Sequence, residues 1–381
     1  MTGARADDGP ATEPLTPVSG GAGADGDRSA GVPHPNPPDG EAAATPSACP
    51  RCAAPTVAGD RFCESCGADL RMLRGGTSAA TRGPAATPCP HCGDRSAPDE
   101  SDGFCPSCGL RRPDGTDHVE TALDGAAAIS DRGHVRPRNE DAVALGRAAG
   151  DAADRDAVAA VVCDGVSSVP NSERAARAAA DAALEHLLRT VGTDGERRTR
   201  AAVAASAAAA AAVVPPGTRN APSCTLVCGV VEPTGTVTVG WVGDSRAYWL
   251  AEETGGVPGD PSRLLTRDHV AANATPGRLD PAVVAARPDA ITRWLGADGE
   301  PEPDVVTLAP PGPGLLLLCS DGLWKYFPDA ADLAALARPA LHAGGPAAVA
   351  TALVEAALAA GGEDNVTVAV IPVPPIWRSS P

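Results

Sequence analysis

The chain predicts an α+β fold: a four-layer α-β-β-α sandwich of two antiparallel sheets flanked by helices, preceded by two small cysteine-rich modules and a disordered N-terminal tail. Three observations carry this. Beyond residue 118, short apolar strands outnumber helices and follow one another directly, whereas a parallel fold would alternate them. Ahead of that region, eight of the 12 cysteines fall in four C-x-x-C pairs. Before those, residues 1–48 are Pro, Gly, Ala, Asp and Thr with almost no large apolar side chain.

The tail, 1–48, cannot bury enough surface to offset its ordering entropy, so it reads as disordered. Its first residues, MTGARADDGP, lack the apolar core of a signal peptide. The most apolar long stretch, AAVAASAAAAAAVV, is alanine-dominated and shorter than the roughly 20 residues that a bilayer crossing needs. A cytoplasmic protein with no membrane partner is expected. The net charge of -17 argues against generic nucleic-acid affinity, which requires a basic surface. Lys325 is the only lysine. Arginine supplies the remaining positive charge, and heavy use of Ala, Gly and Pro fits a GC-rich genome of the actinobacterial kind.

Next come Cys49/Cys52, Cys63/Cys66, Cys89/Cys92 and Cys105/Cys108, with ten residues between the first two pairs and twelve between the last two. This is the spacing of two four-cysteine Zn2+ sites, each made of two knuckles that aim four thiolates at one tetrahedral ion. The boundaries read as ribbon 1 over 49–70 and ribbon 2 over 89–112. A disulfide framework is the competing reading, and the lack of a secretory signal weighs against it. A redox C-x-x-C has no helix pattern behind it. Residues 49–112 carry eight Arg against seven Asp or Glu, so the ribbons are not basic. Phe62 and Phe104, each just before a third cysteine, read as packing over the knuckle. Protein docking is therefore favoured over nucleic-acid binding.

From 118 to 372 the strands are AAAIS, DAVALG, AVAAVVC, SCTLVCGVV, TVTVGWVG, RAYWLA, PDVVTLA, LLLLCS and NVTVAVI. Turn-like spacers between several of them suit hairpins. The helices are SERAARAAADAALEHLLRT with its N-cap at Ser172, ERRTRAAVAASAAAAAAVV, a weaker PAVVAARPD, and the pair DLAALARPALHA and PAAVATALVEAALAAG. Residues 373–381 form a tail. Cys163, Cys224, Cys228 and Cys319 lie in apolar runs and read as small hydrophobes.

Ten Asp-Gly pairs occur, and most are plain turns. Asp164 and Asp321 differ, because each closes an uninterrupted apolar run, in AVAAVVCDG and GLLLLCSDG. Asp364 opens a third strand. Carboxylates gathered at the edge of a dry sheet repel one another and need a cation, which makes a divalent metal site the first expectation.

DRGHVRPRNEDAVAL, VVCDGV, SCTLVCGVV, WVGDSRAYWL, LTRDHV, ITRWLG, LLLLCSDGLW and EDNVTVAVI, in that order, resemble the metal-dependent type-2C (PPM) Ser/Thr protein phosphatases, bacterial branch, over about residues 125–372. The resemblance implies two Mn2+ or Mg2+ ions. Asp164 would bridge them, with the Gly165 carbonyl on the first and Asp321 and Asp364 on the second. Glu140 and Asp141 would orient bound waters, and Asp244 would hold a weaker third ion together with Asp321. Arg136, five residues before Asp141, would grip the phosphate. Its competing reading is a surface arginine beside Glu140. His269 reads as a local hydrogen-bonding residue in preference to a general acid, Arg246 as a structural partner, and Asn365 as support for its turn.

Two departures stand out. After Gly165 the chain has Val166-Ser167-Ser168 where relatives have Met-Gly-Gly, which puts the loop's path in question. PPGPG before the LLLLCSDG strand affects a turn and not the site, whereas the flap-position segment between LTRDHV and ITRWLG is compact, which points to altered specificity there. The expected activity is hydrolysis of phosphoserine and phosphothreonine on proteins, the products of Ser/Thr protein kinases. The alternative is a phosphoprotein-binding pseudophosphatase with the ribbons as its docking module.

Overall fold

The computed structural model describes residues 47–49, 54–56, 62–67, 70, 72–79, 92–94, 105–109, 115–149, 156–166, 170–215, 217–252, 260–299 and 301–373. Residues 1–46 of the expected tail, Cys52, Cys89, Phe104, Ser167 and Ser168, and the C-terminal residues after Val373 lie outside them.

Two antiparallel sheets form the centre. The first has the order β15(Asp304–Leu308), β11(Val237–Val242), β10(Leu226–Val231), β8(Asp156–Cys163), β7(Ala142–Ala149), β3(Met72–Arg74). The second runs β13(Arg263–Leu264), β12(Arg246–Ala251), β16(Gly314–Cys319), β17(Val366–Val373), β6(Ala126–Asp131), β5(His118–Leu123), β4(Gly76–Ala79). Small pairs join β1(Ser47–Ala48) to β2(Pro55–Thr56) and β9(Ser223–Cys224) to β14(Leu295–Gly296).

Three apolar clusters correspond to the three interfaces of the four-layer sandwich. Val158, Val162, Trp249, Leu316 and Leu318 fill the space between the sheets. Helices α1(Ser172–Arg189) and α2(Gly195–Ala211) cover the first sheet through alanines at helical spacing, Ala175, Ala176, Ala179, Ala180 and Ala183 on α1 and Ala202, Ala207 and Ala210 on α2. Such small side chains let backbones approach, and Ser206 Oγ on α2 donates to the Ala179 carbonyl at 2.8 Å. The second sheet is covered by α5(Ala330–Ala360) through Leu333, Ala337, Leu353 and Val354.

By length and apolarity alone α5 could cross a membrane. It joins the expected helix pair into one element, with a break at Gly345 before Pro346 and a further proline at Pro339. Its buried leucines face the sheet, so we read it as the outer layer of the sandwich. The minor helices are α3(Pro281–Ala286) and α4(Asp321–Trp324).

Ser172 corrects one expectation. It is the first helical residue and not the cap; Asn171 is the cap, in the left-handed region at φ 68° with no capping side-chain bond. The Ser172 hydroxyl instead donates to the Val166 carbonyl at 2.8 Å, pinning the loop after Gly165.

The segment between the two ribbons is part of the sandwich. Met72 pairs with Ala148 on the first sheet, and Gly76 pairs with Ala122 on the second. Gly75 sits at the crossing, where its N–H donates to the Leu145 carbonyl at 2.8 Å. A Cβ there would lie 2.6 Å from Thr121 Cγ2, so only glycine fits without a shift. Ala79 opposes Val119 and His118 opposes Asp131, so the second ribbon is an insertion between paired strands. The chain leaves β4 and enters β5 at the edge where β17 begins.

Candidate metal centre

Strand ends bring the acidic residues to that same edge. Asp164 follows β8, Asp321 opens α4 just after β16, Asp364 precedes β17, and Asp244 lies between β11 and β12. Asp141 precedes β7. Their positions are fixed through the backbone. Thr225 N–H donates to the Asp164 carbonyl at 2.8 Å, and Asp164 N–H donates to Thr225 Oγ1 at 3.2 Å. Thr225 Oγ1 is in turn 2.7 Å from Ser245 Oγ, which ties Asp164 to the neighbour of Asp244. Trp324 Nε1 donates to the Asp244 carbonyl at 2.9 Å. A Cβ on Gly165 would stand 2.6 Å from the Glu140 carbonyl oxygen, so the glycine lets the two motif segments close on each other.

Below the edge lies a buried polar floor. Asn139 Nδ2 donates to Ser130 Oγ, which contacts Thr367 Oγ1 at 2.7 Å, and Thr367 N–H donates to Ser320 Oγ at 2.9 Å. Asn365 pins the loop carrying Arg136. Its Nδ2 donates to the carbonyls of Arg132 and Arg138, and its Oδ1 accepts from Glu140 N–H, each at 2.8 Å. Asn365 thus does more than support its own turn. The chain returning from the second ribbon joins this loop too, as Arg132 N–H and Asn139 Nδ2 donate to the carbonyls of Asp117 and Thr116.

The electrostatics call for cations. Both carboxylate oxygens of Asp141 and Oδ1 of Asp244 are buried with no hydrogen-bond partner. Burial pushes the Asp141 carboxyl up to about 7, with the nearby Ser320 and Thr367 hydroxyls opposing and the charges of Asp321 and Asp364 adding. Burial, then the charges of Asp321 and Asp268, push Asp244 up to about 7. Asp164 is driven well above the carboxylate range by burial and by Asp141, Asp321, Asp244 and Asp364 together. Oxygen-only donors of this kind fit Mg2+ or Mn2+.

Two protein cations already face the group. Arg136 Nη2 is 2.7 Å from Asp364 Oδ2, and Lys325 Nζ is 2.5 Å from Asp321 Oδ2. Among the described residues, the sets of three ligand-type side chains with atoms within 4.8 Å of one another are two cysteine groups only.

Those groups are Cys49, Cys63, Cys66 and Cys92, Cys105, Cys108, each confined to one ribbon. Cys49 Sγ lies 3.7 Å from Cys66 Sγ, and Cys92 Sγ 3.6 Å from Cys105 Sγ. Thiolates about 2.3 Å from a tetrahedral zinc are about 3.8 Å apart, so both sets fit that ion. The strand cysteines differ. Burial raises the thiol pKa of Cys163 well above normal and that of Cys228 to about 12, leaving them inert.

His269 and Arg246 take structural parts. Gly243 N–H donates to His269 Nδ1 at 3.2 Å, and the ring stacks on Trp241 with centroids 6.1 Å apart. Burial lowers its pKa, with Asp304 opposing. Arg246 holds Asp268 through Nε and Nη2 at 3.0 and 2.8 Å while its guanidinium lies over Trp324. Sequence reasoning missed Thr225, Ser245, Ser320 and Thr367, small hydroxyls without a motif, and Lys325, whose signal was its uniqueness.

Residues 134–358 match the family model described as protein phosphatase 2C, and residues 49–109 match that of the double zinc ribbon. No curated protein matches. Among solved structures, the Mycobacterium tuberculosis serine/threonine phosphatase PstP/Ppp is 31% identical over 64% of this chain and 96% of its own, at TM-score 0.48. The catalytic domain of PstP in complex with two manganese ions is 30% identical over 65% and 97%, also at 0.48. A Toxoplasma gondii serine-threonine phosphatase 2C is 21% identical over 65% and 94%, at 0.51, a likeness of fold.

Proposed function

The chain belongs to the protein phosphatase 2C family of Ser/Thr protein phosphatases, and on that premise we propose that it removes phosphate from phosphoserine and phosphothreonine of proteins at a binuclear Mn2+ or Mg2+ centre. The observation that carries this is the gathering of Asp141, Asp164, Asp244, Asp321 and Asp364 at one sheet edge, with three of their buried oxygens lacking any partner. Asp164, the Gly165 carbonyl, Asp321 and Asp364 would hold the two ions. When bound, the ions neutralise phosphate charge and lower the pKa of water.

Arg136 exchanges Asp364 for the substrate. Its planar fork holds two phosphate oxygens and fixes the ester for in-line attack by water, with P–O cleavage releasing the serine or threonine hydroxyl. Asp141 orients water from its buried position. No phosphoenzyme on cysteine is expected, since burial raises the pKa of the Cys163 and Cys228 thiols.

Zinc in each ribbon completes the reading, with Cys52 and Cys89 as the fourth ligands. The ribbons dock protein partners, either a substrate or a kinase in a cytoplasmic signalling pair. Half-exposed Phe62 supplies an apolar contact, and the second ribbon is inserted at the catalytic edge. The test is phosphate release from a phosphothreonine peptide, expected only with added metal and lost in Asp164→Ala. Full activity in excess EDTA would overturn the two-metal reading.

A further inference from the structure

The one lysine of the chain stands against a proposed metal ligand. Lys325 follows α4 directly, and its N–H donates to the Asp321 carbonyl at 3.0 Å, so the turn that presents Asp321 also fixes the start of the lysine side chain. Nζ reaches Asp321 Oδ2 at 2.5 Å. The charges of Asp364 and, after it, Asp244 also act on the ammonium, and the intervening Trp324 holds the Asp244 carbonyl. Asp244 itself is 6% exposed and its Oδ1 has no partner. Every other basic side chain able to carry a permanent charge is an arginine. The difference matters here, because an ammonium is a compact point charge, closer in shape to a metal ion than a planar guanidinium is.

We infer that Lys325 is a built-in cation that stands where Asp321 and Asp244 would otherwise share a third metal ion, and so sets the metal count of the centre at two. This rests on the binuclear reading of the same site. The ammonium supplies charge neutralisation at Asp321 at any metal concentration. It also repels a divalent ion arriving at Asp244. Because Lys325 is half exposed, solvent weakens that repulsion, and the expected penalty on a third ion is on the order of tenfold in affinity.

The test counts Mn2+ bound by the full-length, zinc-loaded protein in equilibrium dialysis, with the unbound ion followed by electron paramagnetic resonance. Wild type should bind two ions, and Lys325→Gln should bind a third, at least about tenfold more tightly than any third ion on wild type. Asp244→Asn added to Lys325→Gln should remove the gained ion. Equal counts in wild type and Lys325→Gln would overturn the inference while leaving the binuclear reading in place. Failure of Asp164→Ala to reduce Mn2+ binding would overturn both.

Discussion

Arg136 Nη2 and Asp364 Oδ2 form a 2.7 Å ion pair across 228 residues of sequence. The pair joins the proposed phosphate grip to a proposed metal ligand, so phosphate and metal compete for the two partners. Arg136→Ala should lower kcat/KM for a phosphothreonine peptide by about 10- to 100-fold, the worth of one or two hydrogen bonds to a charged group. Lys at this position should recover only part, lacking the fork. Metal affinity should rise in the alanine variant because Asp364 is released. Steady-state kinetics and calorimetric Mn2+ titration measure both, and an unchanged kcat/KM would remove Arg136 from the site.

Asp141 and Asp244 make the metal-free protein pH-sensitive. Burial raises both to about 7, against about 3.9 for an unfolded aspartate. Between those values the folded state binds more protons than the unfolded one, so stability falls as pH rises through the window and levels off above it. Asp244→Asn removes one of these buried charges. In protein stripped of divalent ions it should melt above wild type at pH 8 and close to it near pH 4. Coincident melting curves at pH 8 would show that Asp244 carries no such burden.

Much of the site was legible because it sits at strand ends. The apolar runs before Asp164 and Asp321 are long enough to mark buried strands, and the carboxylate that ends each run is conspicuous. The buried Asn139–Ser130–Thr367–Ser320 floor was not, since single hydroxyls inside strands look like ordinary β residues until partners far apart in sequence meet. Strands β3 and β4 were illegible for a related reason. MLR and GTSA are too short to show alternation, and their pairing is decided by sheet edges supplied later in the chain. At Ser172, the neighbouring Asn171 takes the left-handed turn, and the serine hydroxyl serves Val166 instead of the helix N-terminus.

The crossing at Gly75 gives a packing test. A Cβ there meets Thr121 Cγ2 at 2.6 Å and the Ala122 carbonyl at 3.2 Å. Gly75→Val should therefore cost about 1–3 kcal/mol, the usual penalty of overpacking. A chain beginning at residue 118 loses both edge strands and should be less stable than one beginning at 46. Urea unfolding of the variants would measure this, and a stability equal to the longer chain's would mean that β3 and β4 add nothing to the sandwich.

Arg198 offers the largest expected loss. It is a buried arginine whose side chain is fully covered, on α2, and its Nη2 bonds to Glu232 Oε1 at the end of β10, while Nε and Nη1 have no partner. Arginine carries a permanent charge in proteins, so Glu232 is what makes this burial tolerable. Removing the acid alone leaves an unpaired buried charge, and Glu232→Ala should cost about 3–5 kcal/mol. Replacing the base instead with a side chain of similar volume, Arg198→Met, removes the charge together with two unsatisfied donors and leaves a carboxylate that can reach water. That variant should cost much less or nothing, and Arg198→Met should rescue Glu232→Ala in the double variant. Denaturant unfolding of the three proteins decides it: equal losses for the two single variants, without rescue, would show that the pair contributes through packing and not through charge.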